Sequence, residues 1–222
     1  MMTKEEYLQR MQEEKEDFVP GWDAIDEACK KVYGDQKPAH YATAVQNRVI
    51  FGGNQYLDGY SIYVSPKGYR HIVTYGMSEL YASPEAYGED FSKWGYEMTM
   101  KIKADNDEDV MWAINLLNNM AHYVNDSENY FEEGDSIPSG GNPIKPGSGS
   151  LLSGGLLCVL DTEMPGVDTV HGRLDFIQLI GLTQKEFACI KENQDKVSEL
   201  VDKMKADSPD LVIDLERTKE YV

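Results

Sequence analysis

The sequence predicts a mixed α+β fold, and three observations predict it. Two capping boxes, Thr3 with Glu6 and Thr183 with Glu186, open helices. Tyr69–Tyr75 and Gly95–Lys103 alternate with the two-residue period of strands. The run Phe176-Ile-Gln-Leu-Ile is apolar on both sides, as in a central strand covered on both faces.

The elements come in this order. The Thr3 helix runs to about Glu16 and has only Tyr7, Leu8 and Met11 to bury. Residues 1–19 are therefore expected to be a loosely attached helical extension to a domain spanning 20–222. Pro20 opens a second helix that reaches Tyr33, with Trp22, Ile25, Cys29 and Val32 inward and Gly34 at its end. Asp23, Asp26 and Glu27 lie on its solvated side. His40–Phe51 is expected as one strand, stopped by Gly52-Gly53. Tyr60–Val64 is next, and the turn Pro66-Lys67-Gly68 joins it to Tyr69–Tyr75 as a hairpin. Gly76 ends that strand, because glycine takes backbone angles other residues avoid. The turn beyond it carries Ser78, Glu79 and Tyr81, a place where functional groups are often mounted.

Gly95–Lys103 reads as a half-exposed antiparallel strand. Tyr96, Met98, Met100 and Ile102 face in; Glu97, Thr99, Lys101 and Lys103 face out. Acidic residues at 105–109 suit the positive end of a helix dipole over Glu108–Asn125. Its buried stripe is Val110, Ile114, Leu117, Ala121 and Val124, with Trp112 and His122 on a second packing face. The Gly/Ser/Pro-rich segment 134–155 is expected either as a mobile flap that closes over a partner or as a disordered loop. Leu156–Leu160 and Val170–Leu182 are strands around a turn at Met164-Pro165-Gly166. Leu182 staples Phe187 at the next helix start. Phe187, Ile190, Val197, Leu200, Val201 and Met204 face in, Pro209 stops the helices, and Leu211–Leu215 is a short last strand.

Composition narrows the function. Acidic residues number 39 against 21 basic ones, for a net charge of −18. Such a surface repels nucleic acid and anionic membrane, and either keeps the chain soluble or attracts a basic partner. Cys29, Cys158 and Cys189 read as buried free thiols of a reducing cytoplasm. The first residues lack the apolar core of a signal peptide, and no apolar run approaches the ~20 residues that span a bilayer. His40, His71, His122 and His171 are scattered without metal-ligand spacing, so no metal and no cofactor are expected. The glycines of 134–155 lack the lysine and strand–helix context of a phosphate loop. Cys158 lies in an apolar strand, a poor setting for a thiolate paired with His171. Carboxylates are plentiful, so a hydrolase using a pair of them is the enzyme alternative. A protein-binding surface is the better fit. Tyr56, Tyr60, Tyr63, Tyr69, Tyr75, Tyr81 and Tyr87 cluster in one third of the chain, beside acidic residues. Tyr63, Tyr69 and Tyr75 are assigned to the core.

His71–Tyr81, HIVTYGMSELY, resembles the signature strand and turn of the suppressor-of-fused family. Other segments agree in the same order. They are PGWDAIDEACKKVYGDQKP from Pro20, FGGNQYLDGYSIY from Phe51, WGYEMTMKIK from Trp94, NDSENYFEEGD from Asn125 and HGRLDFIQLIGLTQKEF from His171. The resemblance implies helices packed on a mostly antiparallel or mixed sheet, and a non-enzymatic binding protein. It looks like the single-domain bacterial form, which lacks the further C-terminal region of animal members.

Bacterial relatives are regarded as immunity proteins that neutralise a cognate toxin by binding it. The alternative is an adaptor or chaperone that sequesters several basic clients. On the family pattern Tyr81 and Glu89-Asp90 fall near the partner; Ser78, Glu79, Glu128 and Asp135 are added from turn position. The expected partner is a basic protein, with no oligomeric state implied.

Overall fold

A computed structural model of the chain describes residues 2–44, 47 and 55–222. One 8-stranded sheet organises it, in the order β1-β2-β3-β4-β8-β6-β5, with β7 pairing β8 off that path. The strands are β1 (Ala39–Ala42), β2 (Gly59–Ser65), β3 (Tyr69–Tyr75), β4 (Phe91–Lys103), β5 (Ser136–Pro138), β6 (Gly155–Leu160), β7 (Val167–Thr169) and β8 (Gly172–Leu182). All neighbours are antiparallel except β4 and β8, which run parallel. The fold is thus α+β on a mixed sheet, as the sequence implies. The β2–β3 hairpin forms as expected, with Ile62 opposite Ile72.

Helix α3 (Met111–Ser127) covers one face. Ile114, Leu117, Ala121 and Val124 of its predicted stripe pack on Ile72, Met98, Met100, Ile177 and Leu179. The other face carries two separate layers. Helix α2 (Pro20–Tyr33) brings Ile25 and Cys29 onto Val73, Tyr75 and Phe176. Helices α4 (Gln184–Glu192) and α5 (Lys196–Asp207) bring Ile190, Leu200 and Met204 onto Leu157, Val159, Ile180 and Leu182. β8 lies between β4 and β6 and is covered on both sides, which is why its middle is apolar at every position but Gln178 and Gly181.

Several expectations change. β4 is not half exposed: Glu97, Thr99 and Lys101 are each 0% exposed, because the polar face of the strand is roofed by loops and helices. The first strand covers only Ala39–Ala42; Thr43 and Ala44 lie outside it, and most of the remaining stretch to Phe51, with Gly52-Gly53, lies outside the described residues. Val170 and His171 form the turn between β7 and β8 rather than the start of a long strand. The expected last strand reduces to one parallel bridge, Ile213 to Ile102. Cys189 is only half-buried, while burial pushes the Cys29 and Cys158 thiols up to about 12. The segment after α3 buries Ile144 and Leu152, and its Ile144 N–H bonds to Leu152 O at 2.9 Å.

Helix α1 (Lys4–Glu14) forms under the predicted Thr3–Glu6 capping box, yet it is not loosely attached. Tyr7 is 0% exposed, with its ring 5.3 Å from that of Phe18 and 5.0 Å from that of Tyr87. Its hydroxyl accepts the Ser83 N–H at 2.6 Å and meets His171 Nε2 at 2.8 Å. His171 Nδ1 faces the Glu79 carbonyl at 3.2 Å, and a carbonyl only accepts. Nδ1 therefore carries the proton, and Nε2 takes the Tyr7 O–H. Burial lowers the His171 pKa, which favours this neutral ring. Tyr7→Phe should cost about 1 kcal/mol in urea unfolding, and Tyr7→Ala about 3 kcal/mol. A helix without a real dock would lose nothing in either variant.

Candidate functional site

The site residues named from sequence sit on a loop that β4 holds in place. Pairing of β3 with β4 ends at Val73 and Thr99. Beyond that point Thr74 Oγ1 accepts the Met98 N–H at 2.9 Å, and Glu97 reaches back into the turn. Its carboxyl accepts five hydrogen bonds: Thr74 Oγ1 at 2.7 Å, Ser78 Oγ at 2.6 Å, and the N–H groups of Gly76, Met77 and Ser78 at 2.9, 3.3 and 2.9 Å. Burial pushes the Glu97 carboxyl up, and the Ser78, Gly76 and Thr74 donors oppose it. Three backbone donors can only give, so the pocket is built for a carboxylate. Gly76, at φ 133°, brings the turn close to Leu57 and Asp58 as no other residue could.

Ser78 is therefore no contact residue. It is 2% exposed and its hydroxyl belongs to Glu97. Glu79 is half-buried, with its N–H on Ser92 Oγ at 2.9 Å and its carbonyl on His171. Tyr81 is 40% exposed and donates to Asp58 at 3.1 Å. Glu89 and Asp90 are exposed side by side. Their backbone is stitched to the β7–β8 hairpin: Gly88 N–H to Val170 O and Arg173 N–H to Asp90 O, both 2.9 Å. Gly172 makes this possible, since at φ 103° a Cβ there would lie 2.4 Å from the Glu89 carbonyl. The two acids border a cleft of about 260 Å³ with Tyr87 and Arg173. Arg173 is already committed to Asp175 at 2.7 Å and Asp168 at 3.5 Å, which leaves Glu89 and Asp90 without a cation among the described residues.

Glu128 and Asp135 lie elsewhere. Glu128 is the left-handed cap of α3, at φ 57°, and lines a separate groove with Phe91 and Tyr130. Asp135 is exposed and accepts the Glu132 N–H at 2.8 Å. Tyr81, Glu89 and Asp90 share the stretch of chain ahead of β4, whereas Glu128 and Asp135 follow α3. Tyr63, Tyr69 and Tyr75 are core residues as expected, at 4%, 1% and 1% exposure.

Sequence reasoning missed a buried ionic centre between the α2 and α5 layers. Asp161 accepts Lys101 Nζ at 2.9 Å, Thr99 Oγ1 at 2.7 Å and the N–H groups of Glu163 and Met164 at 2.8 and 3.0 Å. His71 Nε2 lies 3.0 Å from it, without the geometry of a hydrogen bond. Tyr33 OH holds the other ring nitrogen at 2.7 Å. Burial alone would raise the Asp161 carboxyl; His71, then Lys101 and Thr99, reverse this and hold it well below the carboxylate range. His71 does meet a carboxylate after all, though 90 residues of chain separate them. No group of three metal-ligating side chains occurs among the described residues.

Fold and site together define a mixed α+β domain whose buried Glu97, Lys101 and Asp161 are hydrogen-bonded within the fold, while Glu89 and Asp90 are exposed without a cation among the described residues. The chain belongs to the suppressor of fused family: the family model described as Suppressor of fused protein (SUFU) matches residues 53–218. It is 29% identical over 212 residues to the human Suppressor of fused homolog, covering 89% of this chain and 43% of that protein; the mouse protein gives the same figures. The chain thus spans less than half of these relatives. Among solved structures, a chain of a Sufu–Fu complex gives a TM-score of 0.78 at 23% identity, covering 91% of this chain and 93% of that one. Drosophila Suppressor of Fused gives 0.79 at 24%, over 93% and 52%. A SUFU homolog from Neisseria gonorrhoeae gives 0.58 at 16%, over 91% and 97%.

Two variants test the frame. Glu97→Gln turns an acceptor into a donor facing N–H groups and should cost about 3 kcal/mol in urea unfolding, with Tyr81 and Glu89 loosened in hydrogen exchange. Asp161 has a depressed folded pKa, so its stabilisation is complete above the unfolded value near 3.9 and is lost as pH falls below about 4. The wild-type minus Asp161→Asn stability difference should shrink as pH falls below about 4; a constant difference from about pH 4 down to about pH 2 would refute the assignment.

Proposed function

We propose that this chain is a non-enzymatic protein-binding domain, and specifically an immunity protein that neutralises a basic toxin by one-to-one occlusion. The observation that carries it is the Glu89–Asp90 pair: exposed, without a cation among the described residues, and fixed by backbone bonds on both sides. A preorganised acidic pair on a chain of charge −18 favours a basic polypeptide and speeds its approach. Tyr81, 40% exposed, lies earlier on the same stretch of chain. Support also comes from the solved relative in a Sufu–Fu complex, a family member with a protein partner. The carboxylate-pair hydrolase has less support, because Glu97 and Asp161 are enclosed and saturated with donors. Among the described residues no helix is long and apolar enough to cross a membrane, which is compatible with action in the cytoplasm.

The test is stoichiometry. Co-expressed with the basic polypeptides encoded beside its gene, the chain should form a 1:1 complex by light scattering and relieve toxicity only at molar parity. Protection far below parity would mean turnover and sink the reading; capture of several unrelated basic proteins with equal affinity would favour the adaptor. Glu89→Lys with Asp90→Lys should slow association about tenfold at low salt and flatten its salt dependence. Unchanged rates would remove that pair from the interface.

A further inference from the structure

We infer that a second groove, on the α3 side of the sheet, seats a large apolar side chain of the partner flanked by arginine or lysine. This rests on the protein-binding reading above and adds the chemistry of the segment bound. The groove has a volume of about 770 Å³ and lies between the start of β4, the segment after α3, the end of β6 and the first half of β8. Phe91, Tyr130 and Leu160 line it at 62%, 53% and 45% exposure, more apolar surface than a solvated wall needs. The backbone is shaped to present them. The register of β4 on β8 breaks between Phe91 and Tyr96, and Lys93 holds a left-handed φ of 55° inside that break. A bulge of this kind re-aims side chains, and a non-glycine residue in this region carries strain. Trp94, in the same wall, has a buried indole N–H with no partner among the described residues, a rarity in a finished core.

Charge selects the occupant. Among the described residues Lys93 is the groove's only cation, and its ammonium is committed to the Gly76 carbonyl at 2.5 Å. Asp175 is neutralised by Arg173. Glu128, Glu132 and Glu133 line the same groove exposed, with no cation among the described residues. An apolar floor under three open carboxylates fits a hydrophobic anchor with basic neighbours. A second copy of the chain would bring a charge of −18 against this mouth. Phe91 directly follows Asp90, so the groove continues the acidic pair along the chain.

The experiment titrates three synthetic 12-residue peptides into the full chain by calorimetry. One is arginine-rich with a central Phe-Leu, one keeps the arginines with Gly-Gly at the centre, and one keeps Phe-Leu between glutamates. Only the first should bind in the micromolar range, and it should shift the Trp94 indole N–H resonance. Phe91→Ala, Tyr130→Ala and the pair Glu132→Lys with Glu133→Lys should each weaken it about tenfold. All four sites are exposed, so folding is not at risk. Glu13→Lys with Glu16→Lys, on the N-terminal segment, should leave it unchanged. Equal binding of the glycine peptide, equal binding of the glutamate peptide, or wild-type affinity in the groove variants would overturn the inference. So would concentration-dependent dimerisation that the peptide competes away. A 1:1 toxin complex that survives the Glu132/Glu133 change would remove the groove and leave the proposed function standing. Peptide binding without any cognate complex would do the reverse.

Discussion

The fold depends on how β4 buries a polar face. Glu97, Thr99 and Lys101 are fully enclosed, and enclosure of an unpaired charge is ruinous. Each must therefore be met by a particular partner. Lys101 requires Asp161, and so fixes the loop after β6 across the gap between α2 and α5. Glu97 requires a ring of donors, and so fixes the turn after β3. Such pairs add little net stability compared with an apolar filling of the same shape, but losing one partner costs several kcal/mol. Their effect is to permit one arrangement of two loops where an apolar face would accept many.

That constraint reaches the surface through short paths. The turn fixed by Glu97 leads directly to Tyr81, and the N-terminal segment clamps the residues just beyond it, with Tyr7 on Ser83 and Tyr87 on Met2. The β7–β8 hairpin holds the far end at Gly88 and Asp90. The stretch from Tyr81 to Asp90 has no regular strand or helix, yet its ends and middle are pinned. An acidic pair held this way loses little freedom on meeting a partner, which is where preorganisation adds affinity.

Periodicity exposed much of the fold and little of this logic. The α3 stripe, both capping boxes, the β2–β3 hairpin and the covered middle of β8 were legible because each is set by neighbours within a few residues. The alternation of β4 was legible too, but not the fate of its polar side. Lys101 finds Asp161 sixty residues on, and no local pattern announces that meeting. Ser78 shows the same limit: a serine in a turn looks available until Glu97 is seen to take it. Tyr7 looked like one apolar residue in a charged helix, and only its contacts with Phe18, Tyr87 and His171 reveal a dock. At the groove, Tyr130 beside Phe131 was a usable signal. One ring is 53% exposed and the other 9%, so the pair marks a segment that lies on the core and faces outward at once.

The division of charge between interior and surface bears on what kind of protein this is. A catalytic carboxylate needs reach to substrate and a pKa near its working pH. Glu97 has neither access nor a free lone pair, and Asp161 is pinned as an anion by three side chains. Chemistry would have to dismantle the loops these groups hold. Glu89 and Asp90 have the opposite character: they are exposed, and their backbone is held by the β7–β8 hairpin. An interior that commits Glu97, Lys101 and Asp161 to shape leaves exposed acids such as Glu89 and Asp90 free to change without disturbing the frame beneath.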